Sequence, residues 1–220
     1  VLTVHHLNNS RSQRILWLLE ELGVDYEVRR YERDAATMLA PRELRAVHPL
    51  GKSPVITDDG ITVAESGAIV EYLVAQYGAG RLIPAPGSPE RLRYTYWLHY
   101  AEGSAMPPLL LKLIFDRVAA APAWPVSVVA RGIAARVQRT FIGPQLRLHL
   151  DYLEGELTKH PWFAGPEFTA ADVQMSFPLE AAAKRAGLDS TRPRLMEFLA
   201  RIRAREAYRR ALQRGGPYDY

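Results

Sequence analysis

Short alternating or β-branched runs and helical stripes are interleaved in the first third of this chain. Leu2 to His6 alternates as a strand does. Ile15, Leu18, Leu19 and Leu22 follow the i, i+3, i+4, i+7 stripe of an amphipathic helix. Ser10 is its candidate N-cap and Gly23 takes the C′ place after it. Tyr26 to Tyr31 reads as a second strand, with Tyr26 and Val28 on one face and Glu27 and Arg29 on the other. Strand, helix and strand predict a parallel, right-handed βαβ unit. Residues 34–47 are weakly periodic and predict a loop with a short helix. Val55 to Thr57 and Ile61 to Val63 are β-branched runs, and Asp58-Asp59-Gly60 between them reads as a hairpin turn. A second helical pattern follows, with Ser66 as candidate N-cap and Ile69, Val70, Leu73 and Val74 apolar. Residues 1–78 thus read βαβ then ββα.

The pattern then changes. Residues 79–88 form a Pro- and Gly-rich linker. Ser88, Pro89 and Glu90 make a strong helix start, and beyond it only helical spacing recurs. Helices are expected at 89–119 with a disturbance at Pro107-Pro108, at 126–159 with another at Gly143-Pro144, and near 170–187, 191–203 and 205–213. Thr169 and Asp172 are spaced as a capping box, flanked by Phe168 and Val173 as a hydrophobic staple, which is a structural motif and not a chemical one.

Composition narrows the chemistry. The 220 residues include no cysteine, so disulfides, thiolate metal ligands and a cysteine nucleophile are excluded, and any thiol must arrive with a substrate. No apolar run approaches the ~18 residues of a membrane span, and no signal-like start is present, so a cytoplasmic protein is expected. Residues 1–78 hold eight Lys and Arg against eleven Asp and Glu, net −3; the remainder holds 20 against 13, net +7. The basic residues of the second part alternate with Glu and Ala at helical spacing, which reads as a solvated face and not a nucleic-acid surface.

The stretch from Gly51 to Tyr72 carries the most chemistry. Pro54 at the mouth of a strand leaves the backbone at Ser53 free to bond something else. The start of the helix at Ser66 offers unpaired N–H groups and partial positive charge, suited to a carboxylate, and Glu65 beside it suits an ammonium. Those two charges on one carbon are what an α-amino acid end presents. An ordinary capped helix after a hairpin is the alternative. His5 and His6 are adjacent on a strand and point to opposite faces, and His99 and His149 lack a spaced partner, so no metal site is expected. Trp97, Tyr100 and Met106 are candidates for a pocket, a core or a subunit contact.

The cysteine-free first part ending in Gly-Lys-Ser-Pro-Val…Glu-Ser, the Pro-rich linker and the helical part with its Thr-x-x-Asp box together resemble the cytosolic glutathione transferases over nearly the whole chain. The Ser-Arg-Ser-x-Arg and His-Pro-Leu-Gly-Lys-Ser-Pro stretches are most similar to serine-type bacterial and fungal members. The resemblance implies a thioredoxin-like domain over 1–78 with a mixed four-stranded sheet, a linker over 79–88, and an all-helical domain over 89–220 lining a second-substrate pocket. It implies glutathione as co-substrate, no metal, a cis bond before Pro54, pairing of the Ser53 backbone with the cysteinyl part, and Glu65 and Ser66 at the γ-glutamyl end. Lys52 and His48 would meet the glycyl carboxylate. Ser10 would be the thiol partner, with Ser12 as rival and Asn9 behind it; Arg11 would add positive potential or be an exposed helix-start arginine. Leu7, Tyr100, Met106 and Tyr218 would line the second pocket; the aromatic tail, Tyr218 and Tyr220, would close over it or be disordered.

The expected activity is glutathione transfer to an electrophilic, apolar small molecule by a homodimer, with no nucleic-acid or membrane partner. Two alternatives stand beside it: a non-catalytic binding or regulatory module, and a glutathione-dependent peroxidase or isomerase on the same fold.

Overall fold

The computed structural model describes residues 1–120, 123–216 and 218. Strand β1 (Thr3–Leu7) and strand β2 (Glu27–Tyr31) are parallel, because helix α1 (Ser12–Leu22) carries the chain back across the sheet between them. Helix α2 (Arg42–Val47) leads to the hairpin of β3 (Val55–Asp58) and β4 (Ile61–Ala64). β3 runs antiparallel to β1, giving the order β2-β1-β3-β4 and a mixed sheet. Asp59 (φ 44°) and Gly60 (φ 87°) supply the two left-handed residues that a tight hairpin requires. Val4 pairs with Val28 on one side and Ile56 on the other, and both Val4 and Ile56 are wholly buried.

α1 is buried more widely than its stripe predicts. Leu16 and Trp17 lie outside the stripe yet are as buried as Ile15 and Leu18. The reason is a second layer. Helices α8 (Ala170–Arg185) and α10 (Glu206–Gly215) pack on the side of α1 away from the sheet. Trp17 meets Tyr208 edge-to-face at 5.2 Å, and Glu20 and Glu21 of α1 pair with Arg210 and Arg205. The middle and end of α1 are therefore held by the helical part as well as by the sheet.

Helix α3 (Ser66–Tyr77) begins one residue earlier than a Ser66 cap requires. The capping position falls on Glu65, whose φ of 71° is a left-handed conformation for a residue with a side chain. Ser66 is the first residue of the helix proper and is buried. Ser10 likewise stands just before the cap: Arg11 occupies the N-cap of α1 without a side-chain bond, and the Ser10 hydroxyl accepts the Ser12 N–H at 3.3 Å.

After the linker, Ser88 caps α4 (Pro89–Tyr100) by accepting the Arg91 N–H at 3.2 Å. The disturbance expected at Pro107-Pro108 is a wide π turn, Ala101–Ala105, after which α5 (Met106–Ala120) continues. A proline lacks the N–H for the helical ladder and its ring crowds the preceding turn, and a π turn opens that turn without ending the helix. The same device, Gln138–Ile142, joins α6 (Val126–Val137) to α7 (Gly143–Lys159) ahead of Pro144. α9 (Pro193–Ala204) leads into α10.

α8 is the buried axis of the helical part, with Ala170 to Ala182 all buried. Asp172 holds its start: one carboxylate oxygen accepts from Thr169 N at 2.8 Å and the other from Phe163 N at 2.9 Å. Burial raises the Asp172 carboxyl to about 6 in spite of those bonds. Among the described residues no helix is long and apolar enough to cross a membrane.

Candidate functional site

Three segments remote in sequence converge where β1 ends and α1 begins. The chain leaves β1 and turns through Asn9, whose φ of 47° is one that asparagine tolerates better than most residues. That turn sets Ser10 at the foot of α1 with its side chain almost wholly buried. β1 pairs with β3, so the strand start at Val55 lies beside His5 and brings Ser53 and the cis bond before Pro54 against the same turn. Ser53 Oγ donates to the His5 carbonyl at 3.0 Å and accepts from Ser10 Oγ at 3.3 Å. The α3 start, at Glu65 and Ser66, follows the neighbouring strand and forms the third wall.

These walls enclose a cleft of about 890 Å³. Leu7, Asn9, Ser10, His48, Lys52, Ser53, Pro54, Glu65, Ser66 and Met106 all line it. The structure therefore brings together most of the residues picked out from the sequence. Among the described residues neither the N–H nor the carbonyl of Ser53 has a partner. The exposed Glu65 carboxylate likewise has none there. Two positions fall elsewhere. Tyr100 sits in an aromatic cluster with Trp97 and Tyr152, its hydroxyl 2.5 Å from His149 Nδ1, because its face of α4 turns toward α7 and not toward the cleft. Tyr218 stands behind the cleft wall: its ring is 6.4 Å from that of Phe177, which does line the cleft, and its hydroxyl donates to Glu180 at 3.4 Å. Tyr220 lies outside the described residues.

Ser10 belongs to a chain of hydroxyls. Its Oγ is 2.7 Å from Ser12 Oγ, which is 2.8 Å from His6 Nδ1. Burial, with Arg30 adding to it, lowers the His6 ring to about 4, so it is neutral at pH 7. The ring also bonds the backbone of Gly215, the last residue of α10, whose carbonyl has no partner within the helix. Ser12 is fully buried and does not line the cleft. Ser10 lines the cleft and keeps a donor that can turn from its neighbouring serines to a ligand.

The electrostatics are set from the helical part. Glu102, in the first π turn, pairs with Arg11 at 3.0 Å and with Arg14. Arg14 is buried in full and also donates to the Gln174 carbonyl at 2.6 Å. Burial would raise the Glu102 carboxyl, but Arg14 and Arg11 outweigh it and hold it below the usual carboxylate range. Two arginines at the foot of α1 thus share one carboxylate. Glu102 escapes sequence reasoning, since nothing in its own neighbourhood ties it to Arg11 and Arg14. Arg33, Arg45, Arg117 and Phe177, which also line the cleft, were missed for the same reason.

A hydroxyl at the start of the first helix, a cis-proline strand entry and a helix start after the hairpin, on a βαβ-ββα layer backed by helices, define a glutathione-binding transferase fold. The comparisons agree. Residues 1–75 match the family model described as Glutathione S-transferase, N-terminal domain, and residues 143–206 match its C-terminal counterpart. Glutathione S-transferase 3 of Schizosaccharomyces pombe is 38% identical over 185 residues, covering 84% of this chain and 75% of the relative. A glutathione S-transferase structure from Actinobacillus pleuropneumoniae superposes with a TM-score of 0.80 at 30% identity, covering 98% of this chain and 93% of that one. A sphingomonad glutathione S-transferase solved in complex with glutathione superposes with a TM-score of 0.73 at 26% identity, covering 97% and 98%. The chain belongs to the glutathione S-transferase family, and it is a glutathione-dependent transferase.

Proposed function

We propose that the cleft binds glutathione with its thiol at Ser10 and that the bound thiolate attacks an electrophilic small molecule. The observation that carries this reading is the meeting of Ser10, the Ser53 backbone and the Glu65–Ser66 helix start in one cleft. The γ-glutamyl carboxylate takes Ser66 and the N–H groups at the α3 start, where the helix end favours an anion. Its ammonium faces Glu65. The cysteinyl backbone pairs with Ser53 beside Pro54. The glycyl carboxylate meets Lys52 and His48, and Arg45, packed over Gly51, adds a third donor there. In this reading 1–78 is the glutathione-binding domain, 79–88 the linker, and 89–220 the domain that supplies the second-substrate wall.

The chemistry needs only a stabilised sulfur anion. A free thiol titrates near ~8.5, so a few per cent is thiolate at neutral pH. Ser10 donates one hydrogen bond to the anion without itself ionising, and the α1 end contributes ~0.3–1 kcal/mol. Conjugation, peroxide reduction and isomerisation share this step, and the second pocket selects among them. Retention on immobilised glutathione with elution by free glutathione is expected, together with conjugation of an activated aryl halide above the uncatalysed rate. A chain that neither binds nor conjugates contradicts the reading.

We also propose a homodimer in the cytoplasm, with α3 and α4 near its two-fold axis. Supporting it, α4 exposes Leu92 and Tyr96, and Tyr96 is joined by Tyr152 of α7, its hydroxyl 3.2 Å away. A two-fold contact of this kind buries ~1,200 Å² or more. Light scattering at micromolar concentration is expected to give twice the 24.7 kDa of one chain. A species at the single-chain mass refutes the dimer.

A further inference from the structure

We propose that the second-substrate end of the cleft is built for an anion: its preferred electrophile has an apolar body that ends in a carboxylate held by Arg33 and Arg117, with Arg11 nearby. The inference rests on the transferase reading of the same cleft and names the substrate class within it.

The apolar part is one stripe of α5. Met106, Leu110, Leu113 and Arg117 recur at i, i+4, i+7 and i+11 and all line the cleft, with Leu109 beside them and Phe177 of α8 also on the cleft wall. The stripe begins at Met106, in the same cleft as Ser10, and ends on a cation. Eleven residues of helix span about 16 Å, and an arginine side chain on a helix leans back toward the N-terminus. The charge is thus set along the stripe from its Met106 end and not beside it.

Arg33 approaches from the other wall, just after β2. Its Nε donates to the Asn8 carbonyl at 3.3 Å and its Nη1 to the Met38 carbonyl at 3.2 Å. Both partners are neutral, so the guanidinium is oriented but its charge is uncompensated. It is half-buried and lines the same cleft as Arg11 and Arg117, and burial, with the fields of those two arginines adding to it, lowers its pKa. Among the described residues Nη2 of Arg33 and the Arg117 guanidinium have no acidic partner. The nearby acids are committed: Glu102 to Arg11 and Arg14, Asp116 to Lys112 and Gln138, and Asp34 to the turn at Thr37. Like charges gathered in a half-buried cleft destabilise the empty chain, and a bound carboxylate relieves them through charge-assisted bonds. Glutathione's two carboxylates are already assigned to the α3 start and to the Lys52, His48 and Arg45 wall, so these arginines are left for the second substrate.

A para-chloro-dinitrobenzoate fits this description. The thiolate forms the C–S bond, the C–Cl bond breaks, chloride leaves with its electron pair, and the thiol proton goes to solvent. The test uses the finished conjugates, so that binding is read apart from turnover. Calorimetry compares the glutathione conjugate bearing the free carboxylate with its methyl ester. The acid is expected to bind at least about tenfold more tightly in the intact chain, as one charge-assisted bond provides. That ratio should collapse toward one in Arg33→Gln and in Arg117→Gln, and at high salt. It should persist in Arg209→Gln, an exposed arginine on α10 away from the cleft. If glutathione and the ester bind but the acid binds no more tightly, or if its advantage survives both cleft variants, the anion site is overturned alone. If neither conjugate nor glutathione binds, the transferase reading of the cleft falls and takes this inference with it.

Discussion

Ser10→Ala is expected to slow glutathione transfer roughly five- to thirtyfold while glutathione affinity, measured at a pH where its thiol is neutral, changes little. The size follows from what the hydroxyl gives up. A hydrogen bond to an anion contributes ~1.5–3 kcal/mol, and a neutral one ~0.5–1.5 kcal/mol. Without ligand Ser10 already has neutral partners in Ser12, at 2.7 Å, and Ser53, at 3.3 Å. Turning to the thiolate exchanges one kind of bond for the other, a net gain of about 1–2 kcal/mol, or roughly five- to thirtyfold in rate. The helix end persists in the variant, so activity falls without vanishing. The sign with pH also follows. The hydrogen bond lowers the bound thiol's pKa, so losing it moves the pH profile of kcat/KM for the electrophile, measured at saturating glutathione, toward alkaline values by about one unit. Ser12→Ala should do less, since the Ser12 hydroxyl is turned to His6 and does not reach the cleft. Measured rates in which Ser10→Ala is silent and Ser12→Ala loses the shift would transfer the role to Ser12.

Glu65→Ala is expected to weaken glutathione binding about ten- to a hundredfold. Glu65 is exposed before the ligand arrives, so the relevant scale is one charge-assisted hydrogen bond of ~1.5–3 kcal/mol and not a fully buried ion pair. The backbone gives a second, independent reading. Glu65 holds φ at 71°, which costs a residue with a side chain about 1–3 kcal/mol. Glu65→Gly should therefore raise the unfolding midpoint in denaturant while weakening glutathione as much as Glu65→Ala does. A gain in stability with a loss in affinity marks a strained residue kept for its ligand. Unchanged calorimetric affinity in both variants would remove Glu65 from the site.

The contrast between Glu65 and Glu102 shows how far the chain could be read from its letters. Glu65, Ser66, Ser53 and Pro54 were legible because their chemistry is local: a hairpin, a strand entry and a helix start each have short-range signatures. The cap assignment still slipped by one residue, since nothing in Ala-Glu-Ser announces that the glutamate takes the left-handed position. Glu102, Arg33 and Arg117 come from three separate elements and meet only through tertiary packing, so no spacing reveals them. Helical periodicity found every long helix and both proline disturbances, but it could not say that the widening would be π turns. Nor could it tell which neighbour each face meets. Leu16 and Trp17 are buried because α10 returns to cover α1, and Tyr100 turns toward α7 and not into the cleft. The expectation of an apolar second substrate came from Trp97, Tyr100 and Met106 and from the family resemblance, and of these three only Met106 lies in the α5 stripe that lines the cleft. The arginines around the α5 stripe bear on the question only once the loop after β2 and α5 are seen to face one cleft.

The central claim is that this chain stabilises the glutathione thiolate through Ser10, and the ultraviolet absorbance of that thiolate reads it directly. Glutathione bound to the intact chain should titrate well below the ~8.5 of a free thiol. Bound to Ser10→Ala it should titrate about one unit higher than in the intact chain, with the ligand still held. A bound thiol that titrates as it does in free solution, or at the same pH in both proteins, would contradict the account.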